Sequence, residues 1–158
     1  MRNIYDDERV LFNELRSDIE GALMNEVLDK VKDIEIKHIE TEVYSVYSPT
    51  IYGRRLDEGG LLDPDNIVGN VKNMELTVEN ITPFNEDYAT KNKGIGLAEM
   101  VNEGGNYTHD YDYGFRSFEA PYSKARPFLD KTIDEIEDTE SVENALAKGL
   151  KNRKYDVF

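Results

Sequence analysis

Apolar residues at Phe12, Leu15, Ile19, Leu23, Val27, Val31 and Ile34 recur every three or four positions, with Asp, Glu, Lys and Arg between them. That spacing predicts one long amphipathic helix with a single apolar stripe. Asp6 and Asp7 are candidate caps whose charge suits the positive end of the helix dipole, and Gly21 is the weak point along the helix. Past Ile34 the pattern loosens through Ile36, Ile39, Val43 and Val46. The helix continues or breaks there, and Ser48-Pro49 should stop it.

From Asp57 to Pro64 the composition is that of a turn-rich loop, with Gly59-Gly60 free to take positive φ. Asn66–Val71 and Met74–Ile81 then read as an antiparallel hairpin turning at Lys72-Asn73. Leu76 and Val78 share one face of the second strand, and Glu75, Thr77 and Glu79 the other. Thr82–Gly96 reads as a loop, and Leu97–Glu103 as a short helix closed by Gly104-Gly105. Asn106–Ser123 shows no clean period and reads as an extended excursion with a candidate strand at Tyr111–Phe118. Pro127 suits the first turn of a helix with Leu129, Ile133 and Ile136 buried. Thr139 or Ser141 can cap a last helix carrying Val142, Ala145, Leu146 and Leu150.

The expected fold is therefore α+β: a long N-terminal helix and C-terminal helices packed on a small antiparallel sheet, with long loops. A chain of 158 residues fits one domain over 1–158. Its parts are a helical stretch over 1–48, sheet and loops over 49–123, and C-terminal helices over 124–158. Apolar residues are only 39% of the chain and charged ones 33%, so the core is thin and some apolar area is expected to meet neighbouring subunits.

The net charge of -14 argues against binding DNA through its phosphates, which requires clustered cations. Residues 1–48 carry 6 basic and 12 acidic groups, 49–120 carry 6 and 13, and 121–158 carry 7 and 8, so the excess lies in the first two segments. Cysteine is absent, which removes disulfides and thiolate metal sites. The first residues lack the basic-then-apolar order of a signal peptide, and no apolar run is long enough to span a bilayer, so a soluble protein is expected.

Candidate chemistry is sparse. His109, Asp110 and Asp112 are a conceivable metal-ligand set, but alternating polar residues on a loop read better as solvated, and His38 lies far away in sequence. Asp63, Asp65 and Asn66 resemble the start of a calcium loop that Ile67 and Val68 interrupt, so Asp63 and Asn66 are expected to stabilise a turn around Pro64. Gly94-Ile95-Gly96 lacks the third glycine and the βαβ unit of a dinucleotide site. Neither histidine belongs to a nucleophile signature, so no catalysis, cofactor or metal is expected. Arg54 and Arg55 can fork onto carboxylates, either within the chain or across an interface. Tyr107, Tyr111 and Tyr113 suit strands and interfaces equally.

Three segments recur in a fixed order: Gly59-Gly60-Leu61-Leu62 after a helical region, Leu97 to Glu103-Gly104, and Arg126-Pro127-Phe128-Leu129 opening a helix. In this order they resemble the neck or tail-completion (head-tail joining, minor tail component) proteins of long-tailed bacteriophages, over roughly residues 10–150. The Asn106–Ser123 excursion is longer than is common in that family. The resemblance implies a structural protein of the virion neck, assembled in the host cytoplasm as a homo-oligomeric ring. Its implied partners are a head-side connector or stopper and a tail terminator or tail tube protein, with DNA passing through the lumen and no membrane involved. Expected neighbour contacts are Arg54, Arg55, Gly59, Gly60, Leu61, Leu62, Tyr111, Tyr113, Phe115, Arg126 and Phe128. Two other classes compete: an acidic DNA mimic occupying a basic enzyme groove, and a metal-dependent hydrolase using His109 and Asp110.

Overall fold

The structure is a computed structural model that describes residues 4–46, 55–56, 58–83, 96–104 and 124–156. It is α+β, with helices at both ends of the chain and a two-stranded antiparallel sheet between them. The N-terminal rod is α1 (Ile4–Ala22), a π-helical turn (Leu23–Val27), α2 (Leu28–His38) and a second π-helical segment (Ile39–Tyr44). The helix therefore continues past Ile34 rather than breaking. Asp6 and Asp7 fall inside its first turn, not at a cap position.

The rod's burial differs from the expected stripe at its start. Ala22, Val27, Leu28, Ile34, Ile39 and Val43 are buried, whereas Phe12 is 68% exposed. Residues 8–14 are all exposed, and the side-chain bonds from other elements reach the rod further along, Arg16 to Asn73 and Tyr155 to Asp18. Two glycines from elsewhere in the chain, Gly149 and Gly69, approach the two ends of the first π turn closely. A Cβ on Gly149 would lie 2.9 Å from that of Ala22, and one on Gly69 would lie 2.7 Å from Leu28 Cδ2.

The hairpin consists of β1 (Ile67–Lys72) and β2 (Glu75–Asn80), with Ile67 opposite Asn80 and Lys72 opposite Glu75. Its turn is Asn73-Met74, one residue later than the sequence pattern placed it. Both residues take positive φ, at 55° and 64°, the geometry of a two-residue turn that follows strand twist. Leu76 and Val78 point inward and Glu75, Thr77 and Glu79 outward, as the alternation predicts.

Among the described residues three further α-helices follow, α3 (Leu97–Glu103), α4 (Phe128–Asp138) and α5 (Ser141–Asn152), and a short 3-10 turn (Pro64–Asn66) precedes the hairpin. On α4 the buried residues are Phe128 and Thr132, while Ile133, expected in the core, is 54% exposed. Neither Thr139 nor Ser141 caps α5. Glu140 occupies the cap position, and the Thr139 hydroxyl donates back to the Glu135 carbonyl at 2.7 Å.

The C-terminal helices are pinned to the rod by polar contacts. Lys37 and His38 of α2 both engage the Glu135 carboxylate of α4, His38 at 2.8 Å. The Lys37 hydrogen bond is the main reason that carboxyl is held below its usual range, with His38 adding to it. Arg153 meets Glu26 at 3.0 Å, and the Tyr155 hydroxyl donates to Asp18 at 2.8 Å. Burial pushes Glu26 upward, but the hydrogen bonds from Arg153 and Asn152, with a backbone contribution, outweigh it and leave the carboxyl lowered.

Candidate interaction site

The three ordered sequence motifs come together. Leu61, then Leu97, Ala98 and Val101, then Phe128 form one cluster with Ile39 and Val43 from the end of the rod. Phe128 is 0% and Leu61 5% exposed, so their side chains are covered by this chain itself. The interface role expected of these two is thus corrected to a core role, because an apolar group already withdrawn from water has little area left to give to a neighbour.

Around that core the motifs are joined by hydrogen bonds. The Asn102 side chain, mostly buried on α3, accepts the Leu129 N–H at 2.9 Å. It supplies from another helix the cap that Pro127, with no suitable side-chain oxygen, cannot give to α4. The Arg126 N–H reaches the Val101 and Asn102 carbonyls at 3.0 and 3.2 Å. Gly104 closes α3 at φ 64°, and a Cβ there would stand 2.3 Å from Ala125 N, so only glycine fits.

The Gly59–Leu62 loop is equally tied down. Gly59 has φ 75°, and its N–H donates to Asp63 Oδ2 at 2.7 Å, while Asp63 Oδ1 accepts from Asp65 N at 3.0 Å. The Asn66 side chain donates to the Gly60 carbonyl at 2.9 Å. This is the turn that Asp63 and Asn66 were expected to hold. A Cβ on Gly60 would strike the Leu56 carbonyl, and Leu62 is half-buried beside the core. Arg55 donates to the Pro83 carbonyl at 2.6 Å, a backbone partner in place of the expected carboxylate. Arg54, Tyr111, Tyr113 and Phe115 lie outside the described residues, as do His109, Asp110 and Asp112. Among the described residues no group of three acids or histidines is placed to hold a metal ion.

A feature that the sequence reading missed borders this core. A half-open cavity of about 860 Å³ lies between the rod, β2, α3 and α4, walled by Leu23, Val31, Val78, Leu129, Ile133 and Ile136. Glu35 is set into its wall, only 3% exposed. Thr82 N–H can only donate, so it fixes Asn80 Oδ1 at 3.1 Å and turns Asn80 Nδ2 onto Glu35 Oε1 at 2.8 Å. Burial pushes the Glu35 carboxyl up, and the Asn80 hydrogen bond only partly opposes it. The spacing held the clue, since Val27, Val31, Glu35, Ile39 and Val43 are four apart and put this glutamate on the apolar stripe.

Its lining is apolar walls, the one buried carboxyl of Glu35 and the exposed Glu99, an apolar surface with a few polar groups, as binding sites generally have. No helix among the described residues is long and apolar enough to cross a membrane. No curated protein and no solved structure matches the chain. A protein-family comparison does match, to YomN over residues 7–152, a span that includes all three ordered motifs. The chain belongs to the YomN family, a phage-derived, Bacillus prophage-like family, which points to a phage protein.

Proposed function

We propose that this chain is a phage protein and a structural, non-catalytic component of the virion neck. Copies of it form a ring that joins the head connector to the tail tube around the DNA path. The observation that carries this reading is the meeting of the Gly59–Leu62, Leu97–Gly104 and Arg126–Leu129 segments in one core. Their order is that of the neck and tail-completion proteins that the sequence resembles, and the shared core gives the order a physical reason. Partners on this reading are sibling copies, a head-side connector or stopper, and a tail terminator or tail tube protein.

The charge suits the role. An acidic collar offers no attractive phosphate sites, so DNA passes during ejection without being held by ion pairs. A basic belt at the lumen would contradict this part of the proposal. The role itself is tested by deleting the gene and imaging the lysate by negative-stain electron microscopy. Unjoined heads and tails are expected, and normally joined particles would refute the assignment.

A further inference from the structure

The half-open cavity forms a groove in which one carboxyl oxygen lacks a partner. Glu35 is 3% exposed, and among the described residues its carboxyl has a single hydrogen bond, from Asn80 Nδ2 to Oε1 at 2.8 Å. No side-chain nitrogen or oxygen among the described residues is both fully buried and unbonded. Glu35 Oε2, which has no hydrogen bond, therefore keeps a small accessible area, and the surface that Glu35 helps to line is the groove. A nearly buried carboxyl thus turns one oxygen toward a cavity of about 860 Å³, ample for a small organic molecule.

The neighbouring amide treats that carboxyl as an acceptor. The Thr82 N–H donates to Asn80 Oδ1 at 3.1 Å, and the Thr82 hydroxyl bonds the same oxygen. Asn80 is therefore locked with its nitrogen toward Glu35 and cannot flip to accept a proton from it. Burial opposes the charge that this arrangement suits and pushes the carboxyl's pKa up, one hydrogen bond being too few to offset it. What the carboxylate lacks is a cationic donor at Oε2. The walls around the groove are aliphatic, Leu23, Val31, Val78 and Ile136 among them, and the exposed Glu99 adds further negative charge to the lining.

We propose that the groove binds a small apolar ammonium, an aliphatic body with one cationic N–H group that donates to Glu35 Oε2. The walls withdraw the body from water, and the hydrogen bond to a charged group in apolar surroundings selects the head. This assignment goes beyond the neck reading and does not depend on it.

Octylammonium, 1-octanol and octanoate share an eight-carbon skeleton and differ in the head group, so they separate the contribution of the carboxyl from that of the walls. Each is titrated into protein labelled at isoleucine methyl groups, with Ile133 and Ile136 reporting from the groove by NMR. Octylammonium should shift both methyls saturably and bind roughly tenfold or more tighter than 1-octanol, the ratio expected for a hydrogen bond to a charged group. Octanoate should bind most weakly. Glu35→Gln should remove the advantage of the ammonium, whereas Glu14→Gln, which neutralises an exposed carboxylate outside the groove, should keep it. Unmoved methyls, equal binding of octylammonium and 1-octanol, tighter binding of octanoate, or an equal loss in the two variants overturns the inference. Should Glu35→Gln fail to fold, the three head groups on the unaltered protein decide it.

Discussion

Replacing Phe128 with alanine distinguishes a core residue from an interface residue. Its ring is 0% exposed and packs in the cluster of Ile39, Val43, Leu61, Leu97, Ala98 and Val101. Removing the ring forfeits about 2 kcal/mol of apolar transfer free energy. A partly relaxed cavity of about 80 Å³ costs about 2 kcal/mol more at about 24 cal/mol per Å³. A loss of about 4 kcal/mol is a large share of the roughly 5–15 kcal/mol that stabilises a typical domain. At about 2–4 °C per kcal/mol for a chain of this length, the melting temperature should fall by about 8–16 °C. Urea unfolding followed by circular dichroism gives the free energy, with the m-value as a check that the transition keeps its size. A loss below about 1 kcal/mol with an unchanged m-value would refute the core placement and return Phe128 to the surface.

Three more outcomes follow from the same geometry. Asn102→Ala should cost about 1–2 kcal/mol in urea unfolding by uncapping α4, while Asn102→Asp, which keeps an acceptor for Leu129 N–H, should cost less; equal losses would discredit the cap. Gly104→Ala should cost at least about 1–2 kcal/mol from its positive φ alone, with the contact on Ala125 adding to it, and a neutral result would contradict the turn. Glu35 has its folded pKa raised by burial, so the folded state holds that proton more tightly, and stability falls as pH rises from the usual glutamate value through the folded one. Glu35→Gln keeps an oxygen for Asn80 and should raise the urea midpoint at neutral pH while leaving it little changed in acid. A lower midpoint at neutral pH would mean that the carboxylate is needed in the folded protein.

The parts legible in the sequence were those governed by local pattern. The alternation of Leu76 and Val78 with their polar neighbours gave the hairpin faces, and the closing glycine of α3 marked a helix end only Gly104 can make. Asp63 and Asn66 announced their turn through ordinary side-chain chemistry. Where tertiary contacts decide, the pattern misled. Phe12 keeps the helical spacing but has no described neighbour to bury it, and on α4 the face that packs is Phe128 and Thr132 rather than Ile133. Thr132 is tolerated there because its hydroxyl donates to the Phe128 carbonyl at 2.8 Å. The groove was hidden for a different reason. Its walls come from segments far apart in the chain, and its glutamate was passed over because a charged residue on an apolar stripe reads as the stripe's edge.

A cryo-electron reconstruction of the phage neck tests the central claim most directly. The predicted result is a ring of this fold around the DNA path between head connector and tail tube, its helical rods and hairpins recognisable in the density. A neck resolved at side-chain detail in which every ring is accounted for by other proteins would contradict it.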